Sequence, residues 1–385
     1  MPRGGGRVRD RRRGALARWR ESACGLHSCA RARGSAELSA EPSAEPSAGR
    51  SPAVGEQRLV ELRDLRVEFH ARRGEVARAV DGVDLTVRRG EVLALVGESG
   101  CGKTTLARTL LGLERPAGGE VLFEGEPIRY DLGYLRSYRG KVQMVFQDPM
   151  GALNPRQTVY EVVAEGLRIQ KLRGDEATRV SEALGRAGLR PPERFLQLYP
   201  YELSGGQRQR VVIAGAMVLQ PSLLVADEPA SSLDASVRGE ILGLMLELVR
   251  EEGVTILVVT HDLGLAWNIA DRIAVMYLGR IVEEGPAEEL LSNPKHPYTR
   301  ALLSVVPEVE EMEQQILQGE APDPTRIPAG CRFHPRCPLV ASGEAAQLGI
   351  EARCRTEDLG QHQVGPDHGA ACHAVPARND RGARV

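Results

Sequence analysis

Apolar and polar positions alternate through Val60-Glu61-Leu62-Arg63-Asp64-Leu65-Arg66-Val67-Glu68-Phe69, the period of a strand with one buried face. The alternation returns over 80–87, and a continuous apolar run fills 91–96. Short strands are predicted at 120–123 and 142–146. From about 154 to 220 the period becomes helical, with helices predicted over 159–169, 179–187 and 207–218. Continuous apolar strands reappear at 223–226 and 255–260, separated by a helical run over 236–250. Buried strands alternating with helices predict an α/β fold: a parallel sheet covered on both faces, an antiparallel β portion in front and an inserted helical subdomain. Ordered sequence is expected to begin near Arg58.

At 385 residues the chain suits two or three structural units. Its 50 basic and 52 acidic side chains nearly cancel, so no global field recruits nucleic acid or a membrane surface. Charge is instead segregated. Ten arginines fall within the first 34 residues, and 35–53 repeats Ala, Glu, Pro and Ser without apolar periodicity. Such a head, 1–57, cannot bury enough surface to offset its ordering entropy and is expected to be disordered. An over-extended start site, a basic arm and a transit-like peptide are the other readings of it. No apolar h-region follows the arginines, which argues against a secretory signal. No run reaches 18 apolar residues, so the chain is expected to be soluble.

Gly97-Glu98-Ser99-Gly100-Cys101-Gly102-Lys103-Thr104 fits the phosphate-loop pattern G-x-x-x-x-G-K-[ST], between an apolar strand and a helical run. The glycines let backbone N–H groups turn toward phosphate oxygens, and the helix start adds its dipole. Gly97, Ser99, Gly100, Cys101, Gly102, Lys103, Thr104 and Thr105 are therefore candidate contacts to a nucleoside triphosphate. Lys103 reaches the β- and γ-phosphates, and Thr104 holds Mg²⁺. Lysine is scarce here, with four in the chain against 46 arginines, and a guanidinium fork does not replace a compact ammonium between phosphates. Cys101 contributes its N–H, and its thiol is given no chemistry.

The strand 223–226 ends in Asp227-Glu228. Asp227 is placed to hold Mg²⁺, directly or through water, and Glu228 to orient or deprotonate the attacking water. Leu203-Ser204-Gly205-Gly206-Gln207 opens a helix with adjacent glycines, a second candidate phosphate contact.

With these motifs the chain resembles the nucleotide-binding subunit of an ATP-binding cassette transporter over roughly 58–307, about two thirds of its length. The resemblance implies roles for further residues. Gln147 matches the glutamine that contacts Mg²⁺ and water and senses the membrane partner. Leu203 to Gln207 match the family's defining motif, Ser232-Leu233-Asp234 a loop at the dimer interface, and His261 a histidine set against the γ-phosphate. Phe69 is a candidate adenine-stacking residue. The family mechanism implies ATP sandwiched between two cassettes, each completing the other's site, with opening and closing passed to two transmembrane permease subunits through 148–163.

Val145-Phe146-Gln147-Asp148-Pro149, Leu153-Asn154-Pro155-Arg156 and Asn293-Pro294-Lys295-His296-Pro297-Tyr298-Thr299 are similar to the ATPases of oligopeptide and dipeptide importers, and 308–385 to that branch's C-terminal extension. Nickel, glutathione and antimicrobial-peptide systems share much of this pattern. The resemblance further implies a different but related second ATPase (with a homodimer as the alternative), an extracytoplasmic solute-binding protein acting indirectly, no nucleic acid, and a peripheral place on the cytoplasmic face of the cell membrane. A soluble cassette ATPase of translation or repair is disfavoured, because such chains carry two cassettes or a coiled-coil insertion.

Four tail cysteines, Cys331, Cys337, Cys354 and Cys372, admit several readings. Disulfides conflict with a reducing cytoplasm, and zinc lacks its usual C-x₂₋₄-C pairs. Members of the resembled branch can carry a [4Fe–4S] cluster on these cysteines, and the wide spacing suits one. Unliganded structural thiols remain the alternative.

Overall fold

The computed structural model describes residues 57–70, 74–231, 233–306, 314–315, 317 and 319–377. The arginine-rich head to residue 56, Ser232 and the start of the C-terminal extension at 308–313 lie outside the described residues. β1 (Arg58–His70) and β2 (Val76–Arg88) pair antiparallel, as their alternation predicts. The chain passes through β3 (Val92–Val96) into helix α1 (Lys103–Leu110). It returns as β4 (Gly118–Phe123) and β5 (Glu126–Pro127), completing a sheet ordered β2-β1-β4-β5.

Helix α2 (Leu132–Lys141) leads to β6 (Val142–Val145). The inserted helices follow: α3 (Pro149–Ala152), α4 (Val159–Gln170), α5 (Glu176–Arg186) and α6 (Gly205–Met217). Two of them start on capping boxes, Thr158 with Glu161 and Ser204 with Gln207, each pair satisfying two backbone donors that a helix start leaves orphaned. The chain then alternates β7 (Leu223–Asp227), α7 (Ala235–Glu252), β8 (Thr255–Thr260), α8 (Leu263–Ile269), β9 (Arg272–Tyr277) and β10 (Arg280–Pro286).

Strands β9-β3-β8-β7-β6 run parallel, in register from Val92 opposite Ile256 and Leu223 opposite Thr255. Every residue of β3, β7 and β8 is buried. Their period of two divides the side chains between two cores. Leu224 and Ala226 join the core shared with α4, α5 and α6, whereas Leu223 and Val225 join the core under β1, β2 and α1. Each such leucine or valine contributes roughly 1.5–3 kcal/mol by leaving water.

After α9 (Ala287–Ser292) and α10 (Pro297–Leu303), the tail forms short helices α11 (Pro338–Ala341), α12 (Glu344–Gln347) and α13 (Glu351–Thr356). Its hairpin, β11 (His362–Gly365) and β12 (His368–Ala370), continues the main sheet by pairing with β10. The C-terminal extension thus shares the cassette's sheet. Buried Glu283 of β10 knits this corner. Its carboxylate accepts from the N–H groups of Lys295 and His296 at 2.7 and 2.9 Å and lies 2.8 Å from His368 Nε2.

Candidate functional site

The loop between β3 and α1 is held in shape by close backbone packing. Gly102 caps α1 with φ 110°, and a Cβ there would sit 2.0 Å from the Ala79 carbonyl oxygen. A Cβ on Gly97 would sit 2.2 Å from the Met276 carbonyl. Only glycine is accommodated at either position. Lys103 curls over the loop, its Nζ donating to the carbonyls of Gly97 and Glu98 at 2.8 and 2.9 Å. Ser99, Gly100 and Thr104 face solvent, and Thr105 is half-buried behind them. Cys101 is buried, and burial pushes its thiol above the ordinary range, in keeping with an inert side chain.

β7 carries Asp227 to this loop. Burial raises its carboxyl pKa, while a hydrogen bond with the Thr104 hydroxyl opposes the rise. Thr104 and Asp227 therefore offer hydroxyl and carboxylate oxygens side by side, the hard donors that suit Mg²⁺. The backbone then turns left-handed at Glu228, with φ 45°, a conformation costly for a side-chain-bearing residue and concentrated at functional sites. The Glu228 N–H donates to the Val259 carbonyl at 2.8 Å, fixing the turn against β8.

Three catalytic candidates from separate strand ends converge here. Gln147 Nε2 donates to Glu228 Oε2 at 3.0 Å, and His261 Nδ1 lies 2.6 Å from Glu228 Oε1. A carboxylate only accepts, so this pairing places a proton on Nδ1. The Glu228 side chain is 17 % exposed and that of His261 58 % exposed, leaving the ring open on its outer side.

Other sequence candidates stand outside this cluster. The Ser204 hydroxyl accepts from the Gln207 N–H, and the Gln207 side chain accepts from the Ser204 N–H, at 3.3 and 2.9 Å. They close on each other at the start of α6, with exposed Gly205 and half-buried Gly206 beside them. Asp234 precedes α7 without a side-chain capping bond. Phe69 lies opposite Ala77 in β1, 42 % exposed, so its face is available for stacking.

The loop has two further partners that its motif does not announce. Glu98 donates its N–H to the Tyr298 hydroxyl at 2.9 Å, and its carboxylate accepts from Arg336 at 2.7 and 3.1 Å. Residue spacing gives no hint of the second contact, which joins positions 238 apart.

Cys331, Cys337, Cys354 and Cys372 line one cavity in the tail, with His334 and His373 at its wall. Burial pushes Cys331 up to about 12 and Cys372 up to about 11. Among the described residues no three His, Cys, Asp or Glu side chains are grouped to hold a metal ion.

Among the described residues no helix is long and apolar enough to cross a membrane. Residues 80–231 match the ABC transporter family, and 282–343 match the C-terminal region of oligopeptide/dipeptide transporters. The chain is 40 % identical over 336 residues to the oligopeptide transport ATP-binding protein AppF of Bacillus subtilis (strain 168), spanning 83 % of this chain and 98 % of that protein. It is 43 % identical over 317 residues to the oligopeptide transport ATP-binding protein OppF of Salmonella typhimurium (strain LT2), spanning 77 % of this chain and 93 % of that one. Among solved structures, cbiO1 of Clostridium perfringens, part of an ABC transporter complex, superposes with a TM-score of 0.56 at 33 % identity, covering 62 % of this chain and 92 % of cbiO1. The cassette MJ0796, in a dimeric post-hydrolysis state bound to ADP and Pi, gives a TM-score of 0.54 at 31 % identity, covering 60 % of this chain and 99 % of that one. A phosphate loop backed by the Asp227–Glu228 strand end, on a chain with these relatives, belongs to the ABC transporter family, as an ATP-hydrolysing subunit of its oligopeptide/dipeptide branch.

Proposed function

We propose that this chain powers import of oligopeptides or dipeptides by hydrolysing ATP at an interface with a second cassette. The observation that carries the chemistry is the grip of Gln147 and His261 on the two oxygens of Glu228. Glu228 orients or deprotonates the attacking water, and His261 stands beside it against the γ-phosphate and holds its carboxylate in place. Lys103 and the loop N–H groups take the triphosphate. Mg²⁺, held by Thr104, Asp227 and Gln147, would neutralise charge on its oxygens.

The Ser204–Gln207 turn closes on itself through two side-chain bonds and leaves Ser204 and Gly205 exposed, which supports its use by the nucleotide of the opposing cassette. That cassette is a related, different chain, and the pair sits peripherally on the cytoplasmic face against two permease subunits fed by an extracytoplasmic binding protein. ATP favours the closed pair because it contacts both halves, and hydrolysis removes that preference. The cysteine-lined tail cavity is read as a structural [4Fe–4S] site, a reading supported by four cysteines lining one cavity.

The test is uptake of a labelled peptide into vesicles holding the reassembled importer. ATP-dependent uptake that disappears with Lys103→Ala supports the reading. ATP hydrolysis that peptide and permeases leave unchanged, with no uptake, overturns it.

A further inference from the structure

Three polar groups of Glu98 are held, each by a different partner. Lys103 binds its carbonyl, Tyr298 its N–H and Arg336 its carboxylate. Two of these partners come from sequence beyond the last strand of the parallel core. The Arg336 contact is a two-pronged guanidinium–carboxylate pair, the geometry that confers both strength and direction. Arg336 is 8 % exposed and Glu98 28 %, so neither charge is fully relieved by water.

The segment carrying Arg336 is itself fastened beneath the loop. Phe333 packs against the rings of Tyr277 and Tyr298 at 5.2 and 5.3 Å. Arg332 donates to the Leu278 carbonyl at 2.6 Å and pairs with Asp81. Gly279, next to Leu278, donates to the Cys101 carbonyl of the loop at 2.8 Å. Tail, β9–β10 turn and phosphate loop thus form one continuous hydrogen-bonded unit.

A carboxylate inside a loop that must receive a polyanion is an electrostatic liability. Uncompensated, Glu98 would repel the triphosphate and swing toward water, taking the loop N–H groups with it. We propose that Arg336 is a positioning residue for MgATP: it clamps Glu98, cancels its charge and so keeps the phosphate loop in its binding shape. The C-terminal extension then sets nucleotide affinity from outside the cassette motifs. This inference rests on the reading of 97–104 as the ATP-binding loop.

The experiment measures KM and kcat for MgATP, binding of a fluorescent ATP analogue and the melting temperature on the full chain. Arg336→Gln should raise KM and weaken analogue binding about tenfold, the worth of one charge-assisted bond, with kcat within about twofold of the parent. Arg336→Lys keeps the cation and loses the fork, and should give a smaller rise. Adding Glu98→Gln to Arg336→Gln removes the stranded carboxylate and should return KM to within about threefold of the parent. Rescue of this kind is not expected from a residue that only supports the fold.

An unchanged KM in Arg336→Gln, while Lys103→Ala abolishes binding, overturns the inference and leaves the ATP-site reading intact. A KM defect that Glu98→Gln does not relieve overturns it as well. Undiminished binding in Lys103→Ala brings down the ATP-site reading, and the inference with it.

Discussion

His261 Nδ1 stands 2.6 Å from Glu228 Oε1. The contact ties the end of β8 to the end of β7 on the side where the γ-phosphate is expected, and Gln147 holds the other carboxylate oxygen. Replacing Glu228 with Gln keeps the shape and removes the base. Phosphate release should fall by roughly 10²–10⁴-fold, while labelled ATP remains bound to the purified protein. The double variant with His261→Ala should be scarcely slower than Glu228→Gln alone, because groups acting as a unit are not additive. Hydrolysis at the parent rate in Glu228→Gln would remove Glu228 from the chemistry.

The pair of His368 and Glu283 gives the tail a pH dependence. Burial alone would lower the His368 pKa, but the carboxylates of Glu283 and Glu289 outweigh it and hold the value above the ordinary 6.5. A folded-state pKa raised in this way stabilises fully below the unfolded value and is lost as pH climbs through the folded one. Glu283 is opposite in sign: burial raises it, while His368, Thr299 and the two backbone donors together lower it below 4.5. Its contribution is present above that value and is lost on acidification. Protection of the 362–370 amides, corrected for their intrinsic exchange rate, should therefore be greatest in mildly acidic solution and fall on either side. His368→Gln should flatten the alkaline limb, and an unaltered profile in that variant would discount the pair.

Phe333 is buried among Tyr277, Tyr298 and His296. Phe333→Ala should cost about 3–5 kcal/mol, read as a lower denaturation midpoint. His296 beside it is pressed down to about 4 by burial and accepts from the Tyr298 N–H at 3.1 Å, so it is neutral both folded and unfolded above about pH 7.5 and the melting loss should not vary with pH there on its account. A loss under 1 kcal/mol would show that the aromatic cluster does not anchor the tail.

The parallel core was legible because β3, β7 and β8 are buried on both faces, and such strands read as unbroken apolar runs. The phosphate loop was legible for a different reason: its residues are contiguous in sequence, although two of its glycines are demanded by distant carbonyls, those of Met276 and Ala79. Strands β9 and β10 are less legible in the sequence, although β9 is buried along its whole length. Nothing in their pattern tells that the second antiparallel partner of β10 lies far downstream, with Glu284 opposite Gly369 and Glu283 opposite Ala370. The grip of Arg336 on Glu98 was illegible too, since only the closed tertiary structure brings the two together. The four cysteines were visible as a group, and their shared cavity became apparent only with the tail folded.

The hairpin seated on β10 has a practical consequence for anyone trimming this protein. A fragment ending near 307 would bare the flank of β10 as a template for foreign strands, a recognised route to aggregation. It would also strip Glu283 of its imidazole counterpart deep in the interior, and a lone buried anion is costly. What looks like an appendage is the seam that closes the molecule on that side.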